Sequence, residues 1–96
     1  MTYYVYILSN QRHTVFYKGL TINIERRLTE HKLKVNKGFT QRYNYDQLLY
    51  MEEFSTPHEA IAREKELKKY KRDWKMQLIM RRNPKLEDLS KGWSRL

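Results

Sequence analysis

The sequence predicts an α/β domain of the α+β kind: a small three-stranded antiparallel sheet flanked by helices, in the order β-β-α-β-α-α. Three observations carry this. Two short apolar runs, Tyr4 to Leu8 and Val15 to Leu20, are separated by six polar, turn-prone residues. A helical stripe follows them. A third strand-like run, Gln47 to Phe54, precedes a strong helix start signal at Thr56-Pro57. With 96 residues the chain is expected to form one domain, residues 1–96, around a single modest core.

The first two runs read as a hairpin across Ser9-Asn10-Gln11-Arg12-His13-Thr14. If Ser9 and Thr14 flank the turn as a pair, antiparallel register sets Tyr6 directly opposite Tyr17, with both rings on one face. Ile24, Leu28, His31 and Val35 then fall at i, i+4, i+7 and i+11 of a helix that Asn23 caps, with Glu25 in its first turn. Residues Asn36 to Asn44 interleave Lys37 and Arg42 with Phe39 and Tyr43 and read as a functional loop. Thr56, Pro57 and Glu59 supply an N-cap, a proline at the first helical position and a capping box for a helix to about Tyr70. Asp73 is the expected cap of a last helix carrying Trp74, Leu78 and Ile79, which Asn83-Pro84 ends. Leu86, Leu89 and Trp93 are then available to pack a short last turn against the body.

Composition narrows the function. Twenty Lys and Arg against eleven Asp and Glu give a net charge of +9, a strong positive field on so short a chain. Nine of the cations lie between Arg63 and Arg82, opposed there only by Glu64, Glu66 and Asp73. A polyanion is the natural partner. Basic helices also meet anionic membranes, but that needs a broad exposed apolar face, and the apolar residues here are wanted for the core. The chain enters a strand at once, with no basic leader before an apolar segment and no run approaching a membrane span, so a soluble, cytoplasmic protein is expected. The absence of cysteine excludes disulfides, a thiol nucleophile and cysteine-ligated zinc. Any metal must be held by oxygen or by His13, His31 or His58.

Glu64 is the second feature that asks for chemistry. On the next-to-last helix it falls inside the arc of Ala60, Ile61 and Leu67, the face expected to touch the sheet. A carboxylate there needs a cation, a hydrogen-bond donor or a metal. The residues leave two partners open, an ion pair with Arg27 or magnesium, which needs only one or two carboxylates beside waters and phosphate oxygens.

Tyr4-Val5-Tyr6, Tyr17-Lys18-Gly19, Arg27 and His31, Glu64 within Ala60-Ile61-Ala62-Arg63-Glu64-Lys65, and Asn83 together resemble, in order and spacing, the GIY-YIG nuclease domain. That superfamily includes the N-terminal nuclease domain of a bacterial DNA-repair excinuclease and phage homing endonucleases. Phe39-Thr40, Leu49-Tyr50, Arg63-Glu64-Lys65 and Asn83-Pro84 further resemble its small stand-alone bacterial branch. Tyr4 stands where the family name has glycine, and Lys18 replaces the middle isoleucine of the second motif.

The resemblance implies a GIY-YIG endonuclease-like fold and phosphodiester hydrolysis with one divalent cation, Mg2+ or Mn2+, held by Glu64. It implies catalytic roles for Tyr6, Tyr17, Arg27, His31 and Glu64. Tyr17 deprotonates or orients the attacking water, and its phenol needs a nearby positive charge to do so at neutral pH. Tyr6 hydrogen-bonds in the same cluster, and Arg27 stabilises charge on the phosphate. His31 relays a proton or contacts phosphate, or else is a histidine satisfied at the core margin. The expected nucleic-acid contacts are Lys18, Gly19, Lys37, Arg42 and Asn83, with Phe39 and Tyr43 as stacking residues. Gly19 permits close backbone approach, unless it marks a bulge; Asn83 is also an ordinary helix stop before proline.

The expected activity is a metal-dependent endonuclease on nucleic acid, DNA foremost and RNA or structured substrates next, acting as a monomer with low sequence selectivity. A separate targeting protein would fit so small a chain. The alternative is a non-catalytic nucleic-acid-binding module on the same scaffold; a structural protein of an RNA assembly ranks third.

Overall fold

A computed structural model describes the backbone of residues 1–33 and 47–91 and the side chains of 1–30 and 47–91. The elements are β1 (Tyr3–Ser9), β2 (Phe16–Thr21), α1 (Ile24–Leu33), β3 (Gln47–Phe54), α2 (Pro57–Lys69) and α3 (Arg72–Arg82). This is the expected order. The sheet runs β2-β1-β3, antiparallel throughout. No helix among the described residues is long and apolar enough to cross a membrane.

β1 is the middle strand and is buried from Val5 to Ser9, because both its faces are covered. On one face Tyr6 and Leu8 meet Ile24 and Leu28 of α1 and Leu48 of β3. On the other, Val5 and Ile7 meet Ala60 and Leu67 of α2 and Ile79 of α3. A strand buried on both sides has no polar face to show, which is why its sequence reads as an unbroken apolar run rather than an alternation. A bulge where Ile7 pairs with Tyr50 but Leu8 pairs with Leu48 lets β3 serve both layers. It turns Leu48 toward α1, while Leu49 and Tyr50 join the opposite core.

The hairpin departs from the expected register. Ser9 pairs with Phe16 rather than Thr14, so Tyr6 faces Gly19, and Tyr17 faces Leu8. The wider loop is organised by Asn10, whose Oδ1 accepts from the backbone N–H of Thr14 (2.9 Å) and Val15 (3.1 Å). Arg72 of α3 holds its far side by donating to the carbonyls of Thr14 (2.9 Å) and His13 (3.3 Å). His13 takes the left-handed conformation there, at φ 56°. A shift of two residues preserves faces, so both tyrosines still lie on the α1 side.

α2 begins as its start signal predicts. Thr56 is the N-cap; its hydroxyl accepts from the Glu59 N–H and donates to the Glu59 carboxylate (2.8 Å). α3 does not use Asp73 as its cap. Lys71 occupies that position without a side-chain cap bond, and Asp73 sits in the first turn, where its charge complements the helix dipole. Asn83 ends α3 as expected. Beyond it Leu86 packs on the core, and Leu89 bonds through its N–H to the Leu48 carbonyl (2.8 Å) while its side chain stays exposed. Asp88 accepts from the Leu48 N–H (3.1 Å), so the segment covers part of the open edge of β3. Trp93 lies outside the described residues.

Asn83 is the bracket for this segment. It is 6% exposed, and its amide donates to the carbonyls of Leu49 (3.1 Å) and Glu87 (2.8 Å) and accepts from the Glu87 N–H (3.1 Å). Asn83→Ala strands those buried groups and is expected to cost about 2 kcal/mol, read as a shift of the denaturation midpoint at unchanged slope.

Candidate active site

Tyr6, Tyr17 and Arg27 converge on the α1 side of the sheet. β1 and β2 carry the two phenols, whose ring centroids lie 6.4 Å apart at 36°. α1 carries Arg27 one residue before Leu28, so anchoring of Leu28 in the core presents the guanidinium to both rings. Arg27 Nε donates to Tyr6 Oη at 3.4 Å, Arg27 also hydrogen-bonds Tyr17, and its Nη1 meets Glu30 at 3.3 Å. The bond to Tyr6, against the opposing effect of burial, holds the guanidinium above its ordinary range. Burial pushes the Tyr6 phenol up; Arg27 pulls it back in part, and the charges of Tyr17 and Glu64 push it further up. Tyr6 therefore keeps its proton at neutral pH. With Arg27 donating to its oxygen, Tyr6 can pass its own hydrogen to an acceptor.

Gly19 explains how Tyr6 reaches this position. The ring of Tyr6 crosses the strand over Gly19, its register partner. A Cβ there would stand 2.9 Å from Tyr6 Cε1 and closer still to Cζ and Oη. The close approach expected at this glycine is made by a tyrosine of the chain itself.

Glu64 reaches the same edge from the other layer. It is not as deep as its helical position suggested: Ala60 and Leu67 are fully buried, but Ile61 is 40% exposed and the Glu64 side chain 20% exposed. The core stripe of α2 turns toward Arg63, because Glu52 on β3 draws that residue inward with bonds of 3.0 and 3.1 Å. Glu66 and Tyr70 complete its shell. Glu64 is thereby displaced to the β2 margin, where it pairs with Lys68 at 3.7 Å. The ion pair with Arg27 does not form among the described residues, since α1 and α2 lie on opposite faces and Arg27 pairs with Glu30. Phe16, Tyr17, Lys18, Glu64 and Lys68 line an open cleft of about 450 Å³.

Lys18 lies on the α2 side of β2, opposite Ile7. Its ammonium is pulled down to about 8, by burial first and then by Lys75 and Lys68. Lys68 is a cleft residue not singled out from the sequence, although its i, i+4 spacing from Glu64 is a signal for it. Asn83 lies away from the tyrosines, its amide spent on β3 and the C-terminal segment. His31 is in α1 one turn beyond Arg27, with its side chain outside the described residues; Lys37 and Arg42 lie wholly outside them. No group of three or more metal-ligating side chains occurs among the described residues. A site here would rest on Glu64 and on groups brought by substrate and water.

Comparison with known proteins places this arrangement. Residues 2–77 match the family model described as the GIY-YIG catalytic domain. A UPF0213 protein of Haloquadratum walsbyi is 37% identical over 76 residues, covering 79% of this chain and 84% of the relative. One from Clostridium perfringens is 35% identical over 88 residues, covering 92% and 94%. The solution NMR structure of the UPF0213 protein BH0048 from Bacillus halodurans superposes with a TM-score of 0.60 at 28% identity, over 96% of this chain and 97% of that one. Matched by that family model over most of its length, the chain belongs to the GIY-YIG nuclease family, in the small stand-alone form of the UPF0213 proteins.

Proposed function

We propose that the chain is a divalent-metal-dependent endonuclease that hydrolyses phosphodiester bonds in nucleic acid, DNA foremost, with low sequence selectivity. The observation that carries this reading is the meeting of Tyr17 and Glu64 in one open cleft, with Arg27 and Tyr6 bonded behind Tyr17. In this reading Tyr17, bonded to Arg27, orients the attacking water or, as phenolate, takes its proton. Tyr6 remains a phenol and holds Arg27 in place. Arg27's remaining donors face the developing phosphate charge. The net charge of +9 supplies the field that gathers a polyanion.

The donor set fits Mg2+ or Mn2+. A lone, partly buried carboxylate at an open cleft suits a hard ion that keeps most of its waters and takes the rest of its shell from phosphate. Glu64 would hold it, after leaving Lys68. When bound, such an ion neutralises phosphate charge and assists the leaving oxygen.

Tyr17→Phe tests the reading, since it keeps the ring and removes only the hydroxyl. Cleavage of a panel of plasmid, single-stranded and branched DNA and structured RNA is expected to fall by about 10²- to 10⁴-fold, with the melting temperature close to the parent's. Cleavage at the parent's rate would reduce Tyr17 to a packing residue. Binding without cleavage by parent and variant alike would favour the non-catalytic binding module.

A further inference from the structure

Trp74, in the first turn of α3, is 54% exposed, more than any other aromatic side chain among the described residues. The core does not ask for it. α3 is anchored there by Ile79, which is fully buried, and by Leu78, while Tyr70 just before the helix packs on the same core. Trp74 stands outside this set, yet it is not left loose. Its ring meets that of Tyr70 edge to face, with centroids 5.7 Å apart at 87°. Tyr70 is held in turn by Arg63, whose guanidinium lies 5.9 Å from the centre of its ring and whose Nη1 donates to its hydroxyl at 3.5 Å. A perpendicular pair covers at most one face of the indole, so a flat apolar face stays open to a partner.

The surroundings decide which partner fits. From Lys68 to Arg82 the chain carries seven cations against Asp73 alone. Arg72 is turned onto the hairpin loop, but Lys71 and Arg81, at i−3 and i+7 from Trp74, fall on its side of the helix and are exposed. A second copy of a chain with net charge +9 would bring like charge against this helix. A flat apolar ring among cations instead matches the two parts of a nucleotide, the base and its phosphates. Bases inside a duplex are already stacked on both sides. The ring is therefore complementary to a base that has left its stack.

We infer that Trp74, braced by Tyr70, is a stacking platform for an unpaired base of nucleic acid, with Lys71 and Arg81 meeting the phosphates beside it. The platform is a site separate from the cleft lined by Tyr17 and Glu64. The inference rests on the nucleic-acid reading above and narrows it to substrates with single-stranded or unpaired positions, but it does not rest on catalysis.

The test is binding in EDTA, across a salt series, of a short single strand, the same strand with its bases removed to abasic sites, and a duplex, by the parent, Trp74→Leu and Trp74→Tyr. Trp74→Leu is expected to bind the single strand about 5- to 100-fold more weakly than the parent, with the slope of log K against log salt unchanged, because stacking is lost and no charge is. Trp74→Tyr keeps a ring and is expected to retain most of the affinity. Duplex binding is expected to stay within about twofold in both variants. The parent is expected to lose a similar factor on the abasic strand, where Trp74→Leu no longer differs from it. This comparison uses the unaltered protein and so holds even if a variant folds poorly. Equal binding of the intact and abasic strands by the parent overturns the inference, as does a Trp74→Leu variant that weakens duplex and single strand alike or changes the salt slope. A dimer that Trp74→Leu dissolves, with single-strand binding unchanged, makes the face a contact between copies and overturns it too. A parent that binds neither strand nor duplex overturns it together with the nucleic-acid reading. A parent that binds as expected but never cleaves with metal leaves the platform standing and removes the nuclease.

Discussion

Glu64→Ala is expected to lose metal-dependent cleavage by about 10³-fold or more while binding nucleic acid as well as the parent or better. The size follows from what the carboxylate would hold. A bound metal contributes several kcal/mol of charge stabilisation at the phosphate, and each 1.36 kcal/mol is tenfold in rate. Among the described residues no second carboxylate lines the cleft to replace it. The direction of the binding change follows from charge: the variant removes the one anion among the described cleft residues and frees Lys68 for phosphate. The fold is expected to tolerate the change, because Glu64 gives up only an i, i+4 pair on a helix margin, worth about 0.3–0.5 kcal/mol. Parent and variant purified identically are compared on the mixed substrate panel with magnesium or manganese, and separately for binding in EDTA. If the variant cuts at the parent's rate, Glu64 is only the ion-pair partner of Lys68.

Much of the fold could be read from local signals, and where reading failed, the missing information was tertiary. Thr56, Pro57 and Glu59 announce α2 because capping is a local bond, and the structure makes it. The two tyrosines were correctly set on one face because face depends only on strand parity. Their register was not, because it depends on Asn10 bonding forward to Val15 and on Arg72, 58 residues away from Thr14 in the chain, gripping the loop. Glu64 was set too deep for a similar reason. Periodicity gives the apolar arc of a helix, but Glu52 on another element decides that Arg63 rather than Ile61 turns inward. Asp73 is as good a cap by type as Thr56, yet the cap of α3 falls two residues ahead of it, at Lys71. At the site, residue types announced Tyr6, Tyr17, Arg27 and Glu64, whereas the margin position of Glu64 beside Lys68 follows from how Glu52 orients α2.

Gly19→Ala is expected to destabilise the fold by about 1–3 kcal/mol and to lower cleavage by about 10²-fold, through its effect on Tyr6. Gly19 lies in a regular strand, paired with Tyr6, so backbone conformation is not what requires it. Space is. The methyl group would overlap the phenol of Tyr6, which is 1% exposed and cannot swing into solvent without opening the core beside Leu8, Ile24 and Leu28. The ring must tilt, and its oxygen then leaves Arg27, whose 3.4 Å bond has little length to spare. Arg27 in turn loses the contact that positions it beside Tyr17. A double-mutant cycle separates this from a general strand defect. In a Tyr6→Leu background the side chain no longer reaches across residue 19, and the stability cost of Gly19→Ala is expected to fall by about 1–2 kcal/mol. An equal cost in both backgrounds would mean that the glycine serves the strand rather than the tyrosine, and the link from Gly19 through Tyr6 to Arg27 would be broken.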